Sequence, residues 1–269
     1  LNSLRHVLTV LQENNFTVNP LKCEWAVRET DWLGYWLTPV GLKPWKKKIQ
    51  SILNLRQPQS IKELRSFIRA VTHYRDMFPK RSHLLAPLTA QVGQRNIKWT
   101  DDCTSSFNSI KALIAKDAFL RYPDHNKPFH IYTDASDKQL GSVIMQDGYP
   151  VAYFSKKLNS AQRNYTTGEK ELLSIVETLH EYRTMLFGSP NLHIYTDHKN
   201  LTFQKLQTQR VLRWRLFLEE FGPTLHYVNG AENVIADALS RLPSSERQED
   251  IHVQHTPQTP ADVNRHTST

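Results

Sequence analysis

A five-residue run occurs twice in this chain, His130-Ile131-Tyr132-Thr133-Asp134 and His193-Ile194-Tyr195-Thr196-Asp197. In both copies apolar residues alternate at the period of an extended strand and lead into an aspartate. Such a chain has to build a sheet with a place for both runs, and it delivers a carboxylate at the end of each. Two further acids have equally definite settings. Glu171 lies in a helical pattern whose apolar face is Leu172, Ile175, Val176 and Leu179, and Asp237 lies at a later helix start, among Val234, Ile235, Ala238 and Leu239. Taken singly, each acid has a local explanation, because Asp favours strand-end turns and acids favour the first turn of a helix. Taken together they form an order, strand Asp, helix Glu, strand Asp, helix Asp. Carboxylates gathered from such elements repel one another unless divalent cations bridge them. That is the layout of two-metal phosphodiester hydrolysis.

The pattern around these acids predicts strands over 128–134, 139–146, 150–155, 191–196 and 223–228, with helices at about 167–187 and 210–220. The fold class is therefore α/β, a mixed five-stranded sheet flanked by helices. Upstream, Leu4, Val7, Leu8 and Leu11 give a helix over 1–14, and Trp32 to Gly41 reads as a hairpin. Pro44 suits the first position of a helix running to about Leu55. Ser60 with Glu63 is a capping box for a helix from Ile61 to Met77, with Leu64, Phe67, Ile68 and Val71 inward. Trp99-Thr100-Asp101-Asp102 imitates an aromatic-x-Asp-Asp catalytic hairpin, but it opens a helical pattern over 100–116, where these residues act as N-cap and dipole partners.

Five blocks, YTDAS at 132–136, PVAYFSKKL at 150–158, EKELLSIV at 169–176, YTDHKNL at 195–201 and NVIADALSR at 233–241, resemble the RNase H domain of pol polyproteins from gypsy-class LTR retrotransposons. NPLKCE at 19–24, WLGY at 32–35 and KELRSF at 62–67 resemble the end of the reverse transcriptase of the same polyproteins. The resemblance implies an RNase H-like fold preceded by a partial palm hairpin and a helical thumb. Its implied organisation is a palm remnant over 1–42, a thumb over 43–97, a connecting helix over 98–126, an RNase H domain over 127–242 and a disordered tail or linker over 243–269. It implies hydrolysis of RNA in RNA–DNA hybrids with two Mg²⁺ ions, Mn²⁺ being a possible substitute, held by Asp134, Glu171, Asp197 and Asp237. Periodicity leaves Glu169 and Glu171 equivalent, and the resemblance selects Glu171. Many RNases H carry a histidine on the loop before the last Asp, and here Tyr227 holds the comparable place as an auxiliary candidate. His226 beside it should be exposed, since alternation turns neighbours to opposite faces. Asp137, in the turn beyond its strand, should cap or be solvated.

Charge agrees with a nucleic-acid partner. The chain carries 34 Lys and Arg against 26 Asp and Glu, a net +8. Residues 43–81 hold eleven of the basic residues and two acids, which leaves the remainder near neutral. Aromatic residues interleave the basic block, as on a surface that tracks phosphates. Lys62, Arg65, Arg69 and Arg75 are left for a nucleic-acid backbone. The resemblance places Trp32, Gly34 and Tyr35 at a primer-gripping hairpin, and Lys199 and Arg213, with Arg210 and Arg215, are further contacts. It also implies an upstream polymerase domain, carrying the catalytic palm that DNA synthesis would need, and a downstream integrase. A catalytically silent binding remnant is the alternative function. Cys23 and Cys103 lie too far apart for a zinc motif or a disulfide framework. No apolar run approaches a membrane span, and no secretory signal opens the chain.

Overall fold

The computed structural model describes residues 1–197, 199 and 208–228. Its first element, α1 (Asn2–Glu13), buries none of its residues. Strands β1 (Thr30–Trp32) and β2 (Tyr35–Thr38) form a hairpin closed by Leu33 and Gly34, both with positive φ (50° and 90°). That combination matches the right-handed twist of a two-residue turn, and the second position suits glycine. Strand β3 (Gly41–Pro44) pairs with β2. Pro44 therefore ends a strand opposite Tyr35 rather than opening a helix. The helix starts beyond it, as α2 (Lys46–Leu53) with Trp45 at the N-cap. Because β3 pairs on its other side only through Gly41 and Leu42, the missing Pro44 N–H breaks no ladder.

Helix α3 (Ile61–His73) begins as expected, with Ser60 Oγ accepting the Glu63 N–H at 3.2 Å. The Glu63 carboxylate closes onto the Gln59 N–H at 2.8 Å, one residue before the cap. The helix ends at His73, short of Met77, and a 3-10 turn over Arg75–Met77 follows. Leu64, Phe67 and Val71 are buried and Ile68 packs beside them. Helix α4 (Arg81–Gln91) has no counterpart in the sequence reading, since Pro87 lies inside it and breaks the pattern. Burial of Leu85 and Leu88, and a hydrogen bond from the Ser106 hydroxyl to the Leu84 carbonyl, hold it against α5 (Asp101–Ile114). Thr100 caps α5 by accepting the Cys103 N–H at 3.3 Å. The two-residue β4 (Leu120–Arg121) then returns to β3 and completes a four-stranded sheet. A Cβ on Gly41 would enter the Leu120 carbonyl oxygen, so glycine is required where β4 docks.

The second sheet uses β5 (Phe129–Ala135), β6 (Gln139–Gln146), β7 (Tyr149–Lys157), β8 (Leu192–Thr196) and β9 (Thr224–Tyr227) in the order β7-β6-β5-β8-β9. The first three strands are antiparallel, and β5-β8 and β8-β9 are parallel. This is the expected mixed five-stranded sheet. Between β7 and β8 run α6 (Ser160–Arg163), α7 (Thr167–Glu181) and α8 (Arg183–Leu186), and α9 (Gln209–Glu219) precedes β9. The single helix expected over 167–187 is divided at Tyr182.

One face of the sheet, with Phe129, Ile131, Ile144 and Ile194, packs against Leu172, Ile175, Val176 and Leu179 of α7 and Val211 and Leu218 of α9. The α7 stripe that touches the strands also carries small polar residues. Ser142 Oγ and Thr178 Oγ1 lie 2.8 Å apart, both fully buried. On the other face, Val143 of β6 and Tyr153 of β7 join a core built from Phe67, Tyr74, Met77, Leu88 and Ile110. The upstream helices and the sheet thus share apolar burial. Tyr182 reinforces the join, its hydroxyl lying 2.8 Å from the Tyr153 carbonyl and 2.9 Å from the Asp76 carboxylate.

Candidate nuclease site

The repeated pentapeptides are neighbours in register. His130 pairs with His193, Ile131 with Ile194 and Tyr132 with Tyr195, in parallel. Thr133 Oγ1 donates to the Tyr195 carbonyl at 3.2 Å. Asp134 and Asp197 each follow the Tyr132–Tyr195 pair by two residues, so the two carboxylates leave adjacent strands side by side. Both are exposed at the sheet end.

Helix α7 supplies the third acid. Thr166 caps it, accepting the Glu169 N–H at 3.2 Å while the Glu169 carboxylate takes the Thr166 N–H at 3.0 Å. Arg210 adds a 2.6 Å ion pair to the same Glu169. Glu169 is fully engaged in holding the helix start, and the choice that periodicity left open is thereby given a structural difference. Glu171 is 3% exposed, receives hydrogen bonds from the Ala135 N–H and the Thr196 hydroxyl, and keeps a buried Oε2 with no partner. One turn on, Ser174 Oγ lies 3.3 Å from the Asp134 carbonyl and 3.2 Å from that of Gly141. The hydroxyl fixes the depth of the helix against the strand that carries Asp134.

The electrostatics follow from this crowding. Burial, then repulsion from Asp197 and Asp134, pushes the Glu171 carboxyl up to about 8. Asp134 is also raised, first by desolvation and then by Asp197, with Lys80 and the Ala135 N–H pulling the other way. Among the described residues no group of three His, Cys, Asp or Glu side chains closes far enough to hold an ion unaided. The donors nevertheless suit a hard divalent cation: all are carboxylate oxygens, one is buried without a partner, and their mutual repulsion is what such a charge relieves. Asp237 lies outside the described residues, as do His198, Asn200 and the tail over 243–269.

Other expected residues are distributed as follows. Tyr227 is exposed on β9 opposite Thr196, the residue that donates to Glu171. His226 is half-buried instead of exposed, its Nε2 3.1 Å from His193 Nδ1 and its ring stacked on Tyr195 at 4.7 Å. The β8–β9 pairing turns it onto the same face as His193, which an isolated strand cannot reveal. Asp137 is ion-paired with Lys170 at 2.7 Å. Trp32 is exposed, whereas Gly34 accepts the Tyr74 hydroxyl at 2.7 Å and Tyr35 donates to the His73 carbonyl at 2.7 Å. Lys62 and Arg69 are exposed, and Arg65 lies 3.2 Å from the Val92 carbonyl. Arg75 is not free, being paired with Glu181 at 2.6 Å. Arg210 is likewise committed to Glu169 and to the face of Tyr165 at 3.8 Å. Lys199 and Arg213 are exposed, and Arg215 is half-buried. The Arg210–Glu169 pair and Ser174 were missed by sequence reasoning, because contacts across elements leave no spacing signal.

Residues 124–221 match the family of the RNase H-like domain found in reverse transcriptase. Over 260 residues the chain is 35% identical to the retrovirus-related Pol polyprotein from transposon opus of Drosophila melanogaster, covering 90% of this chain and 26% of that one. It is 35% identical over 255 residues to the transposon Tf2-3 polyprotein of Schizosaccharomyces pombe, covering 89% of this chain and 19% of that one. The chain thus spans about a quarter or less of the curated relatives it matches. Its fold superposes with a TM-score of 0.75, at 22% identity, on a foamy viral protease-reverse transcriptase in complex with RNA/DNA hybrid, covering 100% of this chain and 36% of that one.

Proposed function

Since residues 124–221 are an RNase H-like domain of a reverse transcriptase, in a chain homologous to LTR retrotransposon Pol polyproteins, we propose that it hydrolyses the RNA strand of RNA–DNA hybrids. The observation that carries this reading is the convergence of Asp134 and Asp197 from in-register strands on a buried Glu171 with an unpartnered oxygen. Mg²⁺, with Mn²⁺ as substitute, would be held by Asp134, Glu171, Asp197 and Asp237, and two such ions supply water activation and charge stabilisation for in-line phosphodiester hydrolysis.

The chain's own groups prepare that site. The Ala135 N–H and the Thr196 hydroxyl orient Glu171, leaving Oε2 buried without a partner. Ser174 holds the helix to the Asp134 strand. Tyr227 stands beside Thr196 as an auxiliary group. The 2′-hydroxyls of the RNA strand distinguish it from DNA at the minor groove. Lys62, Arg65 and Arg69 extend the contact along the backbone, with Trp32 at the hairpin. The apolar surface of α1 and of Leu33, 68% exposed, would receive the polymerase part of such a polyprotein, whose integrase would lie downstream.

The test is cleavage of a labelled RNA–DNA hybrid with Mg²⁺, set against single-stranded RNA and duplex DNA, for the chain and its Asp134→Asn variant. Hybrid-only cleavage that disappears in Asp134→Asn supports the reading. A folded chain that binds hybrid and leaves it intact would overturn it and favour a silent binding remnant.

A further inference from the structure

A helix from outside the matched domain is fastened to the sheet face that carries Asp134. Asp134 pairs with Gly141, and Gly141 with Ser155, so the three form a row across β5, β6 and β7. Directly opposed residues of antiparallel strands share a face, and this is the face on which Val143 and Tyr153 meet the upstream helices. Ser82, in the first turn of α4, is fastened to the far end of the row. Its N–H donates to Ser155 Oγ at 3.0 Å and its hydroxyl to the Ser155 carbonyl at 2.6 Å. Two residues earlier, Lys80 sits in the left-handed region at φ 52°, a conformation a lysine holds only when its surroundings impose it. Between clamp and aspartate the row contains no side chain. A Cβ added to Gly141 would meet nothing nearer than the Phe154 carbonyl at 3.9 Å.

We propose that Lys80 is a substrate-binding residue of the nuclease site, its ammonium contacting a backbone phosphate of the nucleic acid that lies across Asp134. Lys80 is exposed and stands two residues before the Ser82 clamp, at the end of the strand row that carries Asp134. Among the described residues Lys80 makes no ion pair, whereas Lys127, Lys156 and Lys170 each hold a carboxylate at 2.6 to 2.7 Å. An acidic cluster repels a phosphodiester approaching it. An exposed lysine at the end of the row that carries Asp134, without an ion pair of its own, is placed for that incoming anion, and an ammonium binds phosphate as a point charge without demanding one geometry.

The identity of the ligand rests on the nuclease reading, so the experiment separates the two. Binding of a labelled RNA–DNA hybrid is measured over a range of salt in the presence of chelator, for the chain, Lys80→Gln and Lys80→Arg, and cleavage is measured beside it with Mg²⁺. Loss of one phosphate contact lowers the slope of log K against log salt by about 0.9, which Lys80→Gln should show and Lys80→Arg should restore. In cleavage, Lys80→Gln should raise KM about tenfold, the loss of one charge-assisted contact, with kcat retained. An unchanged slope in Lys80→Gln would overturn the inference even if the chain cleaves hybrids. A lowered slope in a chain that cleaves nothing would support the phosphate contact while sinking the nuclease reading.

Discussion

Glu171→Gln should stabilise the cation-free chain, by an amount that grows as pH rises from about 4.5 to about 8. In the folded state the carboxyl is held at about 8 against an ordinary 4.5, so the fold prefers it protonated. Between those values the unfolded chain has released the proton and the folded chain has kept it, and stability falls as pH rises. At about 1.4 kcal/mol per tenfold change in proton affinity, the ionised group costs the fold at most about 5 kcal/mol above pH 8. Asp134 and Asp197 share that repulsion and relax when one member is neutral, which brings the realised gain to about 2–3 kcal/mol. Glutamine keeps the shape and can still accept from Ala135 and Thr196 without the charge. Urea denaturation in chelator should therefore show the variant equal to the parent near pH 4.5 and more stable at pH 8, by about 5–10 °C in a parallel thermal melt. Saturating Mg²⁺ should reverse the order, since an ion at one hundred times its Kd adds about 2.7 kcal/mol to the chain that binds it. A variant that is less stable at pH 8, or a difference that does not change with pH, would refute the crowded-carboxylate account.

Two structural predictions accompany it. Thr178→Val removes a hydroxyl that bonds both Ser142 Oγ and the Ser174 carbonyl, each at 2.8 Å. It strands the fully buried Ser142 hydroxyl and should cost about 1–3 kcal/mol in urea denaturation, part of it regained when Ser142→Ala is added. Tyr182→Phe withdraws the hydroxyl shared by Tyr153 and Asp76. A loss of about 1–2 kcal/mol is expected, and an undiminished midpoint would mean that the helices and the sheet are held together by apolar burial alone.

Much of the nuclease half was legible because its signals are local. The five strands follow from alternation, α5 from Thr100 and the start of α7 from its apolar stripe, and these are observed within a few residues of expectation, whereas the end of α7 falls short at Glu181. Helix α4 was hidden by Pro87, whose intrinsic effect is to break a helix, and tertiary packing of Leu85 and Leu88 overrides it. Pro44 was misplaced because proline suits a helix start and a strand end alike, and only the neighbours of β3 decide between them. Arg75 and Arg210 read as free cations, but their partners, Glu181 and Glu169, are remote in sequence.

By itself, the sequence determined the strand and helix inventory of the sheet, the order of its acids and the family resemblance, since periodicity, caps and motifs are properties of neighbouring residues. Tertiary structure alone decided that the two pentapeptides lie in register, that Glu169 is tied up while Glu171 keeps a bare oxygen, that His226 turns inward, and that Ser82 fastens α4 to the strand row that carries Asp134. Each of those depends on which elements come to lie side by side. Burial and charge at a site are set by that neighbourhood, and residues brought from opposite ends of a chain carry no mark of it in their spacing.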